Sequence, residues 1–383
     1  MKKTILISAG EASGDIHAAN LVKNLKTLDP DLSFFGIGAG KMEKEGVELV
    51  ESMEKLSIIG INGILSNLGR IRGIYTKLLD RAEKSPPRAA ILIDYPGFNL
   101  TLAKALKKRK IPIIYYITPQ VWAWGAFRTR FIKKYVDTAI VILKFEEGLF
   151  EKHGIDSSFV GHPILDSEKK PIPDRASFGL DDKKTTIALL PGSRESEIKT
   201  ILPIMLGASQ LISKMRDVQF VLLKSSSVNE TLYDGVLDGS NLPLAAIKDN
   251  TPGGMAISDF VLTASGTATL ECAIAEKPAI ITYKLPFLTF IIARIFARTK
   301  TPIVEKKRRI GLVNIIARKM VVPEILQYEA TPERLASEMI SLISSKQKQE
   351  NQIRGLRRVK GELGSPGASM RTARIIADFI SRL

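Results

Sequence analysis

The sequence predicts an α/β protein of two parallel-sheet domains that face each other across a cleft, and three observations carry that expectation. Short β-branched runs alternate with helical patterns in "TILISAG", "SFFGIG", "AAILIDYP", "IPIIYYIT" and "TAIVIL", and alternate again in "TIALLPGS", "VQFVLLKS", "PLAAI", "DFVLTASG" and "PAIITY". Such alternation builds βα units on a mostly parallel sheet covered by helices on both faces. At 383 residues the chain is too long for one ordinary core. A polar, proline-containing link over residues 167 to 184 separates the two series and is the natural boundary. The expected domains are 1–167 and 168–365, with a last helix over 366–383 that returns to the first domain or reaches a partner chain.

Composition narrows the class. An apolar fraction of 45% and a charged fraction of 25% are globular averages, which argues against disorder and fibrous repeats. A formal charge of +16 favours an anionic partner: nucleic acid, phosphates or an acidic membrane face. The basic residues are dispersed rather than interleaved with stacking aromatics, so no nucleic-acid partner is expected. Cys272 stands alone, which excludes an intramolecular disulfide and a cysteine metal cluster and fits a reducing cytoplasm. In "MKKTILISAGEASGD", Glu11 and Asp15 arrive where a signal peptide would still be apolar, so the start reads as a buried strand and its turn. The longest apolar stretch, "LPFLTFIIARIFA", is interrupted by Arg294 and falls short of the roughly 20 residues of a spanning helix.

Each strand end then offers its own chemistry. The turn after the first strand, "GEASGDIH", is glycine-rich but is not G-x-G-x-x-G, and its carboxylates argue against a phosphate cradle. Glu11, Ser13, Gly14 and Asp15 either contact substrate hydroxyls or cap the next helix. In "AAILIDYPGFNL", Asp94 ends a buried strand, where a carboxylate's pKa is adjustable; it is a candidate general base, or else a cap or ion-pair partner. "TPQVWAWGAFRTR" holds Trp122 and Trp124, which pack in the core, rim a lipid or sugar pocket, or sit at a membrane interface.

The second domain carries two anion-ready turns. In "LLPGSRESEI", Gly192 and Ser193 form a tight turn after a strand, and Arg194 lies at the start of a helix whose N–H groups face a phosphate; the plain alternative is a structural turn with its arginine in solvent. Arginine adds a bidentate donor that lysine would not reproduce. In "DFVLTASGTATLECA", Ser265, Gly266 and Thr267 offer donors to a diphosphate, and Glu271, one helical turn deeper, accepts from ribose hydroxyls. Alone, this would be a common N-cap with a first-turn carboxylate. The two turns in this order point to a nucleotide diphosphate. His17, His153 and His162 are scattered, and "DPD" at 29–31 falls at the wrong end of a strand, so no metal is expected.

Taken in order from about residue 4 to 326, "GEASGD", "IDYPGFN", "TPQVWAW", "GHPILD", "LLPGSRESEI", "SGTATLE" and "GLVNIIARKMVVPEILQ" resemble the lipid-A-disaccharide synthase family. The resemblance implies two Rossmann-like domains in the GT-B arrangement, an inverting glycosyltransferase and no cofactor. Its substrates would be UDP-2,3-diacylglucosamine and 2,3-diacylglucosamine 1-phosphate, and its products a β-1,6 disaccharide 1-phosphate and UDP. It also implies a peripheral position on the cytoplasmic face of the inner membrane. By the same resemblance Asp94 is the base, Arg194 and the turn from Ser265 to Thr267 hold the diphosphate, Glu271 the ribose, and Asn314 a further donor contact. Two departures stand out: Gly97 where many relatives carry a second acid, and Val313 where a proline usually precedes the asparagine.

Lipid substrates give a role to residues 56 to 79, where Ile58, Ile61, Leu65, Leu68, Ile71, Tyr75 and Leu78 recur at helical spacing beside Arg70, Arg72, Lys77 and Arg81. This segment either covers the sheet or lies on an anionic membrane surface. Residues 285–300, with "EKKRR" at 305–309, form a second candidate contact; both surfaces would alternatively serve a homodimer.

Overall fold

The computed structural model describes residues 3–52, 68–124, 126–167, 170–240, 242–284 and 309–383. It divides into two units, one of residues 1–167 and 363–383 and one of residues 168–362.

The first unit holds a parallel sheet of β1 (Lys3–Ala9), β2 (Leu32–Gly38), β3 (Val47–Ser52), β4 (Ala89–Ile93), β5 (Ile113–Tyr116), β6 (Thr138–Val141) and β7 (Ser157–Phe159), in the order β3-β2-β1-β4-β5-β6-β7. Its helices are α1 (Ala12–Leu28), α2 (Gly40–Lys44), α3 (Leu68–Lys84), α4 (Pro96–Lys108), α5 (Val121–Trp124), α6 (Ala126–Tyr135) and α7 (Lys144–Glu151). Successive strand side chains point to opposite faces, so both faces of a run such as "TILIS" need cover. Ile5 and Ile7 pack with Leu21 and Leu25 of α1, while Leu6 packs on the other face with Leu78 of α3 and Leu102 of α4. Each such side chain removed from water contributes about 1.5–3 kcal/mol.

The second unit repeats the plan with β8 (Thr185–Leu190), β9 (Val218–Lys224), β10 (Leu244–Lys248), β11 (Phe260–Ala264), β12 (Ala279–Tyr283) and β13 (Glu324–Leu326), in the order β10-β9-β8-β11-β12-β13. Its helices are α8 (Glu195–Ser213), α9 (Glu230–Leu237), α10 (Thr251–Ala256), α11 (Ala268–Ala275), α12 (Leu312–Ile316), α13 (Pro332–Ile343) and α14 (Lys346–Glu362). Strand order reverses between β1 and β4 in one sheet and between β8 and β11 in the other. In an open α/β sheet the carboxyl ends of such a strand pair are the usual place for a ligand.

The last helix, α15 (Ala368–Ser381), belongs to the first unit. Ala373, Ile376 and Ile380 join the core with Leu21 and Leu25. Its start is capped across the fold: the Asp166 carboxylate accepts backbone N–H bonds from Gly367 (2.6 Å), Ala368 (3.2 Å) and Ser369 (2.8 Å). Those donors have no intrahelical partner, and a carboxylate also complements the positive end of the helix dipole.

The segment expected to cover a sheet or lie on a membrane does the former wherever it is described. Ile74 and Leu78 are buried and Ile71 and Tyr75 pack against the same core, so the apolar stripe of α3 is not available to a membrane; Arg70 and Arg72 are exposed. Leu68 opens α3, whereas Ile58, Ile61, Leu65 and the stretch 285–308 lie outside the described residues. Among the described residues no helix is long and apolar enough to cross a membrane.

Removing the cross-fold cap in Asp166→Ala should cost about 1–2 kcal/mol, the usual range for a lost N-cap, read as a lower urea midpoint for the first unit. An unchanged midpoint would show that α15 is held by its apolar stripe alone.

Candidate active site

At the end of β4 the backbone takes an unusual course. Asp94 and Tyr95 both have φ of 47°, the left-handed region that residues with a side chain rarely enter. Such positions cost of order 1–3 kcal/mol each and persist only where the surroundings over-determine them. Pro96 follows at the first position of α4, where its fixed φ suits a helix start. Asn99, fully buried, donates its side-chain N–H groups to the carbonyls of Asp94 (2.9 Å) and Ile93 (3.1 Å). The Tyr115 hydroxyl donates to the same Asp94 carbonyl at 2.7 Å.

The turn after β1 touches this one. A Cβ built on Gly10 would lie 2.1 Å from Cδ1 of Tyr95, so the ring occupies the space a side chain would need. Burial pushes the Asp94 carboxyl up to about 6, the negative charge of Glu11 pushes the same way, and a hydrogen bond from the Tyr95 backbone opposes them. A carboxylate that titrates there is mostly ionised at neutral pH yet more basic than an ordinary aspartate, as a proton acceptor must be. Glu11 and Ser13 are exposed and Gly14 is buried.

Two expectations in this unit need correction. Asp15 neither caps its own helix nor remains open to a substrate: it is buried, and its carboxylate accepts the backbone N–H groups of Ala39 (2.7 Å), Lys41 (3.1 Å) and Met42 (3.3 Å), capping α2. Pairing of β1 with β2 brings that helix start over it. Trp122 is a core residue rather than a pocket rim, with Nε1 donating to Glu146 Oε1 at 3.0 Å and its ring edge-on to Phe145 at 5.7 Å. Glu146 in turn accepts from the Leu143 backbone, and burial holds its carboxyl up at about 7. Trp124 ends α5, and its side chain is outside what is described.

In the second unit the turn after β8 is organised by a residue that the sequence reading passed over. Glu197 is buried on the first turn of α8; Oε2 accepts the N–H groups of Ser193 (2.9 Å) and Arg194 (3.2 Å), and Oε1 meets the Arg194 guanidinium at 3.1 Å. Gly192, at φ 119°, is required because a Cβ there would lie 2.2 Å from Glu197 Oε2. The expected backbone cradle at Ser193 and Arg194 is therefore corrected, since Glu197 takes those amides. The guanidinium itself remains: Arg194 is held at one nitrogen while its side chain is 70% exposed. A carboxylate three residues after an N-cap is the capping-box pattern and was the available signal.

Ser265, Gly266 and Thr267 lead from β11 into α11, where the N–H groups of Thr269 and Leu270 donate to the Gly266 (3.1 Å) and Thr267 (2.8 Å) carbonyls. Among the described residues nothing lies within 4 Å of a Cβ built on Gly266, and the Ser265 hydroxyl donates to the Ile310 carbonyl at 3.1 Å. Glu271 follows on the same helix, and burial alone raises its carboxyl to about 7. Among the described residues no hydrogen bond or ion pair is made by its carboxyl.

Asn314, expected at the sugar donor, has another task. It is fully buried; Nδ2 donates to the Val322 carbonyl and to Glu324 Oε1 at 2.7 Å each, and Oδ1 accepts from the Val321 (2.7 Å) and Val322 (3.0 Å) backbone. Its amide clamps the loop between α12 and β13, which leaves it no part in ligand contact.

Two units, each a parallel sheet wrapped by helices, with the Asp94 carboxyl where strand order reverses in the first and the Arg194 guanidinium where it reverses in the second, define a GT-B type protein. Comparison with known proteins agrees. The chain is similar in fold to the UDP-GlcNAc 2-epimerase from Neisseria meningitidis bound to UDP-GlcNAc (TM-score 0.63, 13% identity, 99% of this chain and 100% of that one). It is also similar to the calicheamicin glycosyltransferase (TM-score 0.64, 13% identity, 100% of this chain and 99% of that one). The model of the lipid-A-disaccharide synthetase family matches residues 5–376. The lipid-A-disaccharide synthase of Anaeromyxobacter dehalogenans (strain 2CP-C) is 38% identical over 373 residues, 96% of this chain and 95% of the relative. That of Geobacter metallireducens is 38% identical over 385 residues, 99% and 98% of the two chains. The chain belongs to the lipid-A-disaccharide synthase family and is a glycosyltransferase.

Glu271 supplies a pH test. Folding raises its carboxyl from the ordinary 4.5 to about 7, so between those values the folded chain holds a proton that the unfolded chain has lost, and stability falls as pH rises. Glu271→Gln should melt above the parent at pH 8 and level with it at pH 4 in a thermal scan. Equal melting at both would mean that the carboxyl is not desolvated.

Proposed function

We propose that this chain transfers 2,3-diacylglucosamine from UDP-2,3-diacylglucosamine to the 6-hydroxyl of 2,3-diacylglucosamine 1-phosphate, with inversion and release of UDP. The observation that carries the mechanism is the Asp94 carboxyl, held at a strained turn and raised to about 6. As the acceptor oxygen attacks the anomeric carbon, its proton passes to Asp94. The new carbon–oxygen bond forms while the bond to UDP breaks, and that electron pair leaves on the diphosphate. One displacement inverts the centre, so no covalent glycosyl-enzyme is needed.

Negative charge grows on the leaving diphosphate, and fixed donors aimed at it lower the barrier. The exposed guanidinium of Arg194 and the N–H groups of the turn from Ser265 to Thr267, just ahead of α11, are the donors this reading uses. Glu271 accepts the ribose hydroxyls, a use that suits a desolvated carboxyl without a protein partner. Acylated substrates and a formal charge of +16 support peripheral docking on the anionic cytoplasmic face of the inner membrane.

Purified protein given both lipids in mild detergent should yield UDP and a disaccharide 1-phosphate by mass, and only when both are present; non-acylated UDP-N-acetylglucosamine should be a poor donor. Good use of the non-acylated sugar would shift the assignment to another UDP-sugar transferase. Asp94→Asn should lower turnover by about 10²–10⁴-fold, the usual worth of a general base, with UDP affinity unchanged by calorimetry. In the parent, kcat/KM should fall as pH drops through about 6, because protonation removes the base. Near-parental turnover in Asp94→Asn would rule it out as the base.

A further inference from the structure

We infer that Asn99, gripped by Ser8 and assisted by Tyr115, is the positioning residue for Asp94: it holds the left-handed turn that aims the carboxylate, and it acts on turnover without touching substrate. This rests on the reading of Asp94 as the base.

The argument starts from the cost of the side chain. A buried amide in an apolar core destabilises the fold unless its hydrogen bonds are made, and Asn99 is fully buried on α4. Its bonds go to the β4 turn and to Ser8. Besides the two carbonyls of the turn, Nδ2 reaches the Ser8 carbonyl at 3.4 Å, and the Ser8 hydroxyl donates to Oδ1 at 2.7 Å. Ser8 therefore grips both ends of the amide and fixes which one faces Asp94. A carbonyl oxygen has two lone pairs, and at Asp94 one side chain from α4 and one from β5 take them, Asn99 at 2.9 Å and Tyr115 at 2.7 Å. The peptide N–H of Asp94 donates to the Tyr116 carbonyl at 3.1 Å. Side chains from α4 and β5 thus converge on the carbonyl of Asp94, whose own φ is unfavourable, and Ser8 of β1 holds the Asn99 amide in place behind it.

A plain strand-to-helix turn needs none of this. Without Asn99 nothing from α4 holds the Asp94 carbonyl, and the left-handed pair at Asp94 and Tyr95 relaxes toward common backbone angles. The carboxylate then leaves its place beside Glu11. The ionisable groups that act on this turn are Glu11 after β1, Tyr95 within it, Tyr115 on β5, and Arg128 on α6, whose charge reaches Tyr115.

The test compares Asn99→Ala, Tyr115→Phe and Asp94→Asn in the full chain by kcat, KM, the pH profile, UDP affinity and melting temperature. Misplacing a reacting group by about 1 Å costs roughly 10²-fold, so Asn99→Ala should lower kcat about 100-fold with UDP affinity unchanged. Its acid limb should move below the parent's value of about 6, toward that of an ordinary carboxylate. Tyr115→Phe keeps the ring and removes one hydrogen bond, so it should shift both readouts in the same direction by less; it carries the test if Asn99→Ala does not fold. Folded variants with parental kcat and an unmoved acid limb overturn the inference, and a lowered melting temperature alone does the same, because that is a structural role. If Asp94→Asn is inactive while the other two behave as the parent, only the positioning role falls. If Asp94→Asn retains parental turnover, the base assignment falls first and the positioning role with it.

Discussion

Parallel pairing is the constraint on which everything else rests. In a parallel sheet every strand ends at the same edge, and each return must pass over a face, here through helices such as α1, α4, α8 and α11. Loops on neighbouring strands then lie side by side, except where strand order reverses and adjacent loops leave in opposite directions. The chain makes that reversal between β1 and β4 and again between β8 and β11. Asp94 stands at the first reversal, Arg194 and Ser265 at the second, so strand order selects which residues stand where an open α/β sheet usually takes its ligand.

Within that frame, partners separate carboxylates committed to the fold from those that are not. Asp15, Asp166 and Glu197 accept backbone N–H groups at helix starts and are thereby committed to the fold. Glu146 serves α7 in the same way and also holds Trp122. Asp94 and Glu271 differ: burial raises both, and neither is neutralised by a cation among the described residues. Removing a carboxylate from water without a counter-charge favours the protonated form, which turns an ordinary acid into a group that accepts a proton, or a ligand's hydroxyls, near neutral pH.

Rigidity around Asp94 serves the same end. The Tyr95 ring against Gly10 ties the β4 turn to the β1 turn, and the Asn99 amide ties it to β1 and α4. In the proposed role of base, a carboxylate set on a strained but over-determined turn has little orientation left to lose when substrate arrives, which is how preorganisation lowers a barrier. On the other unit Gly192 and Glu197 do comparable work, since the missing Cβ lets the carboxylate close on the turn that carries Arg194.

Local signals in the sequence determined the two-sheet α/β class and the turns that follow β4, β8 and β11. Apolar runs and turn residues act over a few neighbours, so "IDYP", "LLPGS" and "TASGT" read correctly by themselves. Partners distant along the chain were not legible. Asp15 meets a helix start 24 residues on at Ala39, Trp122 meets Glu146 across the same interval, and Asp166 meets α15 201 residues later at Gly367. Asn314 looked like a ligand contact because nothing local shows that Val321, Val322 and Glu324 take its amide. The stripe of α3 fits a sheet or a membrane equally well by periodicity, and only the neighbouring β-sheet decided which. A hydrogen bond or an apolar contact needs its partner within a few ångströms, and which distant residues come that close is set by strand order, a property of the folded chain.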